Sequence, residues 1–158
     1  VQRANHRMST QQQSTEENRR IVRRFFEGTQ SGNLDLVDEL VTDDIVTHGY
    51  LGGNPSSLAE YKGFFEMIST GFPDADISIE TLVGEGDHVA VRFAADGTHA
   101  GEFMGIPATG HDVSITGTVF YRLTSGKIAE AWLQADFQTL WQQLGAIPLP
   151  GTLRRVAP

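Results

Sequence analysis

The chain contains no cysteine among its 158 residues. Disulfide bonds, thiolate nucleophiles and cysteine ligands to metals are therefore excluded, and a reducing compartment is compatible with this composition. No apolar run approaches the roughly 20 residues that a membrane-spanning helix needs. The N-terminus also lacks the apolar stretch of a signal peptide. We therefore expect a cytoplasmic protein without a membrane partner.

Positive charge is scarce, with 12 basic residues against 20 acidic residues and a formal net charge of -8. The resulting field repels the phosphates of nucleic acids and of anionic membranes, so nucleic acid is not an expected partner. The remaining composition, with 39% hydrophobic and 20% charged residues, is that of an ordinary globular protein. A chain of this length can bury one hydrophobic core, which predicts a single domain.

Apolar residues recur at helical spacing in the first half of the chain. A capping box at 14–17 predicts the start of a first helix, which ends near Gly32. Asn33 is the expected cap of a second, shorter helix. Ser56 or Ser57 is expected to cap a third helix after a cluster of glycine and proline. This half of the chain is therefore predicted to be mainly helical.

From Asp74 onward the apolar period changes to two, which is typical of strands. Turn signals at 84–87 and 124–127 divide this half into hairpins, and a closing helix is expected from Asp136 to Gly145. Three helices followed by four antiparallel strands predict an α+β domain. In such a domain a curved sheet wraps around the helices and forms a cone with one open end.

Two stretches resemble those of a known family. The first is Gly-Thr-His-Ala-Gly-Glu-Phe-Met-Gly-Ile-Pro-Ala-Thr-Gly at 97–110; the second begins with Gly-Lys-Ile-Ala-Glu-Ala-Trp and runs through 126–145. Both resemble the SnoaL-like polyketide cyclases of the NTF2-like superfamily, and the resemblance covers about 16–145. It implies an NTF2-like cone with a pocket between sheet and helices, and a homodimer or homotetramer packed through its sheets.

The expected domain organisation follows from these boundaries. The SnoaL-like domain is expected to occupy residues 14–147. Residues 1–13 are expected to be disordered or foreign to the natural chain, and residues 148–158 to form a C-terminal tail.

The family's aldol cyclases use an aspartate on the last strand and a histidine on the preceding one, and the resemblance places Leu133 and Val119 at those positions. A leucine cannot accept a proton from an enolisable carbon. By strand alternation both residues face the pocket and make its wall apolar. His48 and His99 are then the expected proton carriers, converging on one cavity, because a neutral imidazole can act as a base near pH 7. Each could instead be a structural histidine.

Asp136 has two interpretations. It can cap the closing helix by accepting backbone N–H bonds, or it can supply a catalytic carboxylate at the pocket mouth.

The expected substrate-binding residues have aliphatic, aromatic or thioether side chains. They are Tyr50, Tyr61, Phe65, Phe103, Met104, Val119 and Leu133. Phe103 and Met104 lie in a glycine-rich connection of the kind that often forms a movable rim.

No metal site and no phosphate loop is recognisable in the sequence, so we expect no cofactor. The sequence predicts a cofactor-independent isomerase or lyase that cyclises, isomerises or hydrolyses a small, mostly apolar polyketide-like molecule. The alternatives are a non-catalytic binding protein, which Leu133 favours, and a structural oligomerisation domain with a filled cone. Glu130, Trp132 and Phe120 are expected on the outer face of the sheet, where a second copy of the chain would cover them.

Overall fold

The structure is a computed structural model that describes residues 2–147, with side chains described from residue 10. The elements follow in the order α1 (Gln2–Gln30), α2 (Asp35–Leu40), β1 (Val41–His48), α3 (Leu58–Gly71), β2 (Asp76–Glu85), β3 (His88–Thr98), β4 (Asp112–Thr124), β5 (Lys127–Ala135) and α4 (Phe137–Gln143). The α+β class and the curved sheet beside N-terminal helices are confirmed. The expected tail at 148–158 lies outside the described residues.

All five strands belong to one sheet with the order β1-β5-β4-β3-β2. Strands β2 to β5 pair as antiparallel neighbours, whereas β1 pairs in parallel with β5. The sequence pattern predicted only a short extended segment at this place, and pairing with β5 makes it a full strand. A register shift between Ile79 and Thr81 in β2 adds to the curvature, since a bulge bends the strand that carries it.

Helix α1 begins at Gln2, so the prediction of a capped start at 14–17 is wrong. No glycine or proline occurs before Gly28, and so nothing in this stretch interrupts a helix. Thr15 lies inside the helix and donates its hydroxyl to the carbonyl oxygen of Gln11 at 3.0 Å. The backbone of residues 2–13 is thus helical, which differs from the disorder expected there.

Of the caps predicted for the next two helices, the one on α3 is confirmed and the one on α2 is wrong. Ser57 caps α3 as predicted, because its hydroxyl accepts the backbone N–H of Glu60 at 3.2 Å. Asn33 does not cap α2; the N-cap is Leu34, with no side-chain bond, and the Asn33 N–H closes α1 on the carbonyl of Gly28 at 2.9 Å. Helix α2 is stabilised instead by its buried apolar residues, which are Leu36, Val37 and Leu40.

The buried apolar side chains form two groups. In the larger group, Phe25 is 1% exposed, and its ring meets those of Tyr61, Phe65 and Tyr121 edge-on at 5.7, 5.9 and 6.1 Å between centroids. The smaller group surrounds Phe103, next to α4. The inner face of the sheet is therefore packed on the helices, and none of the helices in residues 2–147 is long and apolar enough to cross a membrane.

Candidate functional site

A cavity of about 120 Å³, open to solvent, lies inside the cone between the sheet and the helices. Most of its wall is aliphatic or aromatic. The structure places Val119 and Leu133 in this wall, on the face that strand alternation predicts. The two residues pair with each other across β4 and β5. The wall at the two positions that the resemblance assigns to the family's catalytic pair is therefore apolar in this chain.

Three other predicted binding residues, Tyr50, Tyr61 and Phe65, also line the cavity. Phe103 and Met104 do not, so the expectation that they form its rim is wrong. The connection closes on itself through paired backbone bonds between Phe103 and Ile106. This turn buries the Phe103 ring against Phe72, which lines the cavity, and leaves Met104 43% exposed.

Three tyrosines from different elements meet at the cavity. Tyr50 follows β1, Tyr61 lies on α3 and Tyr121 lies on β4. The hydroxyl oxygens of Tyr50 and Tyr61 are 2.6 Å apart. Burial raises the pKa of all three phenols well above the usual value of 10.0, and repulsion from Tyr50 adds to this for Tyr61 and Tyr121. All three hydroxyls therefore keep their protons at neutral pH.

Tyr121 is one of the cavity residues that the sequence analysis missed. It stands two positions after Val119 on β4, and the alternation that placed Val119 in the pocket places Tyr121 on the same face. The alternation of side chains along β4 could therefore have predicted Tyr121 as a cavity residue.

His48 lies on the outer face of the sheet, away from the cavity. Its Nε2 is 2.8 Å from a carboxylate oxygen of Glu130, and its ring stacks on Trp132 with centroids 5.4 Å apart. Glu130 also accepts a bond from Arg122 at 3.2 Å. The bond from His48, followed by the bond and charge of Arg122, lowers the pKa of Glu130. His48 therefore belongs to a surface network, and Glu130 and Trp132 lie on the face expected for them.

His99 is fully buried but is not part of the cavity wall. Its Nδ1 accepts the backbone N–H of Thr109 at 3.3 Å and lies 2.9 Å from the Thr109 hydroxyl oxygen. The ring packs on Phe72 with centroids 5.6 Å apart, and Phe72 itself lines the cavity. The expected convergence of His48 and His99 is wrong, because one points outward from β1 and the other is packed behind Phe72.

Asp136 caps helix α4. Its carboxylate accepts the Thr139 hydroxyl at 2.6 Å and the Thr139 backbone N–H at 3.1 Å. These bonds, the one from the hydroxyl first, lower the pKa of Asp136 and make it a weaker base. Its neighbours Ala135 and Phe137 line the cavity, whereas Asp136 does not. The capping interpretation accounts for its contacts. Among the side chains of residues 10–147, no three His, Asp or Glu groups are placed to hold a metal ion together.

An open cone of helices and curved sheet around an apolar cavity defines the NTF2-like class of proteins. Residues 16–144 match the family model of the SnoaL-like polyketide cyclases, so the chain belongs to that family. It is 27% identical over 129 residues to the aklanonic acid methyl ester cyclase DauD of Streptomyces sp. strain C5, covering 79% of this chain and 80% of the relative. The resemblance seen in the sequence is confirmed.

Two solved structures extend the comparison. IdmH of Streptomyces antibioticus, assigned to the polyketide cyclases, superposes with a TM-score of 0.68 at 32% identity, covering 81% of this chain and 98% of that one. AclR of Streptomyces galilaeus, assigned as a hydroxylase, gives a TM-score of 0.74 at 28% identity, covering 85% and 99%. The same fold thus carries different assigned chemistries among its relatives.

Proposed function

We propose that the protein is a cofactor-independent enzyme that takes a small, mostly apolar, polyketide-like molecule into the cone and cyclises, isomerises or hydrolyses it by acid/base chemistry. The cavity is the observation that carries this proposal, because its apolar wall is interrupted by only a few polar groups. Apolar walls bind ligands by removing apolar surface from water, and a few polar groups orient them. The curated relatives are cyclases of aklanonic acid methyl ester, a polyketide-like compound.

A non-catalytic binding protein is the second candidate, and the wall of the cavity favours it. Leu133 and Val119 provide no proton carrier at the positions where the family's aldol cyclases have a carboxylate and an imidazole. His48, His99 and Asp136 all lie outside the wall. Of the described residues that line the cavity, Asp96 carries the only carboxylate and is exposed, so a ligand would meet mainly hydroxyl groups.

Aklanonic acid methyl ester is a suitable probe for separating the two candidates. The protein is mixed with the ester, binding is measured by calorimetry, and the ester and its products are followed by chromatography with mass detection. Binding with consumption supports the enzyme. Binding without consumption supports the binding protein, and absence of binding contradicts both for this compound.

Ala135→Leu is expected to weaken binding of the ester by at least about tenfold, which corresponds to about 1.4 kcal/mol. Ala135 lines the cavity, and the larger side chain would occupy part of its 120 Å³. Gln134→Leu is the matched control, because it adds a leucine at the preceding residue of β5, which is exposed. Equal weakening by both variants, measured by calorimetry, would show that the ester binds somewhere else.

We also propose that two copies of the chain pack through the outer face of the sheet. Val46, Phe120 and Val83 are 47%, 50% and 55% exposed. Phe120 pairs with Trp132 across β4 and β5, which makes this apolar surface continuous. Association of two copies is favoured because it removes this apolar surface from water.

Phe120→Asp is expected to convert the dimer to a monomer, because it places an unpaired charge in the proposed interface. Light scattering after size exclusion should give about twice 17.3 kDa for the parent and 17.3 kDa for the variant. Ser69→Asp, an exposed position on α3, serves as the control and should remain dimeric. A monomeric parent at micromolar concentration would contradict this arrangement.

A further inference from the structure

A second opening lies against the cone, on the other side of two residues of the cavity wall. It is a cleft of about 300 Å³ between the loop at 51–55 and one side of helix α3. Leu51 and Phe64 line both this cleft and the cone cavity. These two side chains therefore form the partition between the two spaces.

Phe64 is the part of this partition that has room to move. Its side chain is half-buried, and its ring packs edge-on against Tyr50 and Phe65 with centroids 4.8 and 5.4 Å apart. On the side of the cleft, a Cβ added at Gly53 or Gly63 would meet no atom within 4 Å, so this part of the cleft is unfilled. Rotation of the Phe64 side chain into the cleft would join the two spaces without moving the backbone.

The wall opposite Phe64 is held by hydrogen bonds. The side-chain oxygen of Asn54 accepts the backbone N–H of Tyr50 at 3.0 Å, and the Thr47 hydroxyl donates to the Pro55 carbonyl oxygen at 2.6 Å. These bonds tie the loop to β1 and to the residue that precedes the loop. The Phe64 side chain is therefore easier to displace than the loop that faces it.

The cleft differs from the cone in carrying a negative charge, on Glu60. The Oε2 atom of Glu60 accepts the backbone N–H and the hydroxyl of Ser56 at 2.7 and 2.9 Å. These bonds, the one from the backbone first, lower the pKa of Glu60, so its carboxylate is ionised at neutral pH.

This carboxylate has an unused acceptor. Within residues 10–147, no basic group pairs with Glu60 and no hydrogen bond reaches its Oε1 atom. Lys62, two positions along α3, pairs with Asp38 instead. An ammonium group in the cleft would therefore be attracted by an unpaired negative charge, whereas a carboxylate would be repelled.

We propose that Phe64 is a movable partition and that the protein takes an amphipathic amine, whose apolar body fills the cone and whose ammonium end passes Phe64 into the cleft beside Glu60. This inference rests on the proposed function, since it requires an apolar group inside the cone. It narrows the substrate class to apolar molecules that carry a basic amine on a side chain. Phe64 and Glu60 are then the residues that determine specificity.

Naphthylhexylamine and two analogues test the role of Glu60, because they share a body and a chain and end in an ammonium, a methoxy or a carboxylate group. Their dissociation constants are measured by calorimetry on the whole chain, and the parent should bind the amine most tightly and the carboxylate least. Glu60→Gln keeps an oxygen for the Ser56 bonds and is expected to reduce the preference for the amine over the carboxylate by about fivefold. Glu66→Gln removes a charge from an exposed position of the same helix outside the cleft, and should change this preference by less than about twofold.

The association rate of naphthylhexylamine, followed by stopped-flow fluorescence of its naphthyl group, tests the role of Phe64. Phe64→Ala removes the partition and should raise this rate by at least about fivefold. Phe65→Ala is the matched control, because Phe65 lines the cone but not the cleft, and it should leave the rate within about twofold of the parent. Phe64→Leu replaces Phe64→Ala if the latter does not fold.

The outcomes separate this inference from the proposed function. An amine preference that Glu60→Gln leaves unchanged, or equal rates for Phe64→Ala and Phe65→Ala, overturns the assignment of the cleft. In that case Ala135→Leu should still weaken binding of all three probes, since residue 135 lines the cone, and the proposed function stays in place. Failure of the parent to bind any of the three probes overturns both.

Discussion

Gly49→Ala is expected to lower the free energy of unfolding by at least about 3 kcal/mol. Gly49 has φ of +79°, and a Cβ at this position would overlap the backbone carbonyl oxygen of Leu133. That oxygen belongs to β5, so the clash cannot be relieved by turning a side chain. Relief requires β1 and β5 to separate, and Tyr50, the next residue, would then leave its place in the cavity.

Gly52→Ala provides the matched control for this substitution. Gly52 has φ of +78°, but a Cβ there would meet only the flexible Met67 side chain, at 3.5 Å from its sulfur. Its cost should be the backbone strain alone, about 1–2 kcal/mol. Urea unfolding followed by circular dichroism gives both values. Equal losses at the two positions would mean that contact between Gly49 and β5 contributes nothing.

Leu133→Asp is expected to destabilise the protein by about 2–4 kcal/mol at pH 7, because it places a carboxylate against an apolar wall. Desolvation raises the pKa of this carboxyl in the folded state above the value near 3.9 of the unfolded chain. The electrostatic loss is therefore absent below about pH 3.9, where both states are protonated, and it grows as pH rises towards the folded pKa. The difference in melting temperature from the parent should thus be larger at pH 7 than at pH 4.

Gln134→Asp separates this effect from the general cost of a new charge. Gln134 is the next residue of β5 and is exposed, so its carboxyl remains hydrated. Its melting temperature, measured by calorimetry at the same two pH values, should follow that of the parent. A Leu133→Asp variant with no pH dependence beyond this control would contradict the placement of residue 133 in an apolar cavity.

The local pattern of the sequence predicted most of the fold. Helix α3 and the antiparallel hairpins follow from capping, turn residues and the period of apolar side chains, all of which act between neighbours in the chain. The parallel pairing of β1 with β5 could not be read in this way, because it joins segments about 85 residues apart, as in the pair His48 and Trp132. The early start of α1 was missed because a possible cap at 14–17 was taken as a boundary, although nothing before it breaks a helix.

Strand alternation predicted Val119 and Leu133 in the cavity wall and would also have placed Tyr121 there, whereas His48 was placed wrongly where alternation breaks. Val119 and Leu133 face the cavity because β4 and β5 keep their period through this region. Alternation would also place residues 48 and 50 on one face. The left-handed backbone of Gly49 lies between them, so His48 faces outward while Tyr50 reaches the cavity. A histidine two positions from a cavity residue therefore belongs to a different surface.

The segregation of aromatic residue types gives the protein separate optical reporters. The three tyrosines surround the cavity, whereas Trp132 stacks on His48 at the outer face and Trp141 packs near Phe103 at 5.9 Å between centroids. A change confined to the tyrosine bands of the near-ultraviolet spectrum therefore reports an event inside the cone. A change in indole emission reports an event at the outer face or beside α4. Filling of the cone and pairing of subunits can thus be followed in the same unlabelled sample.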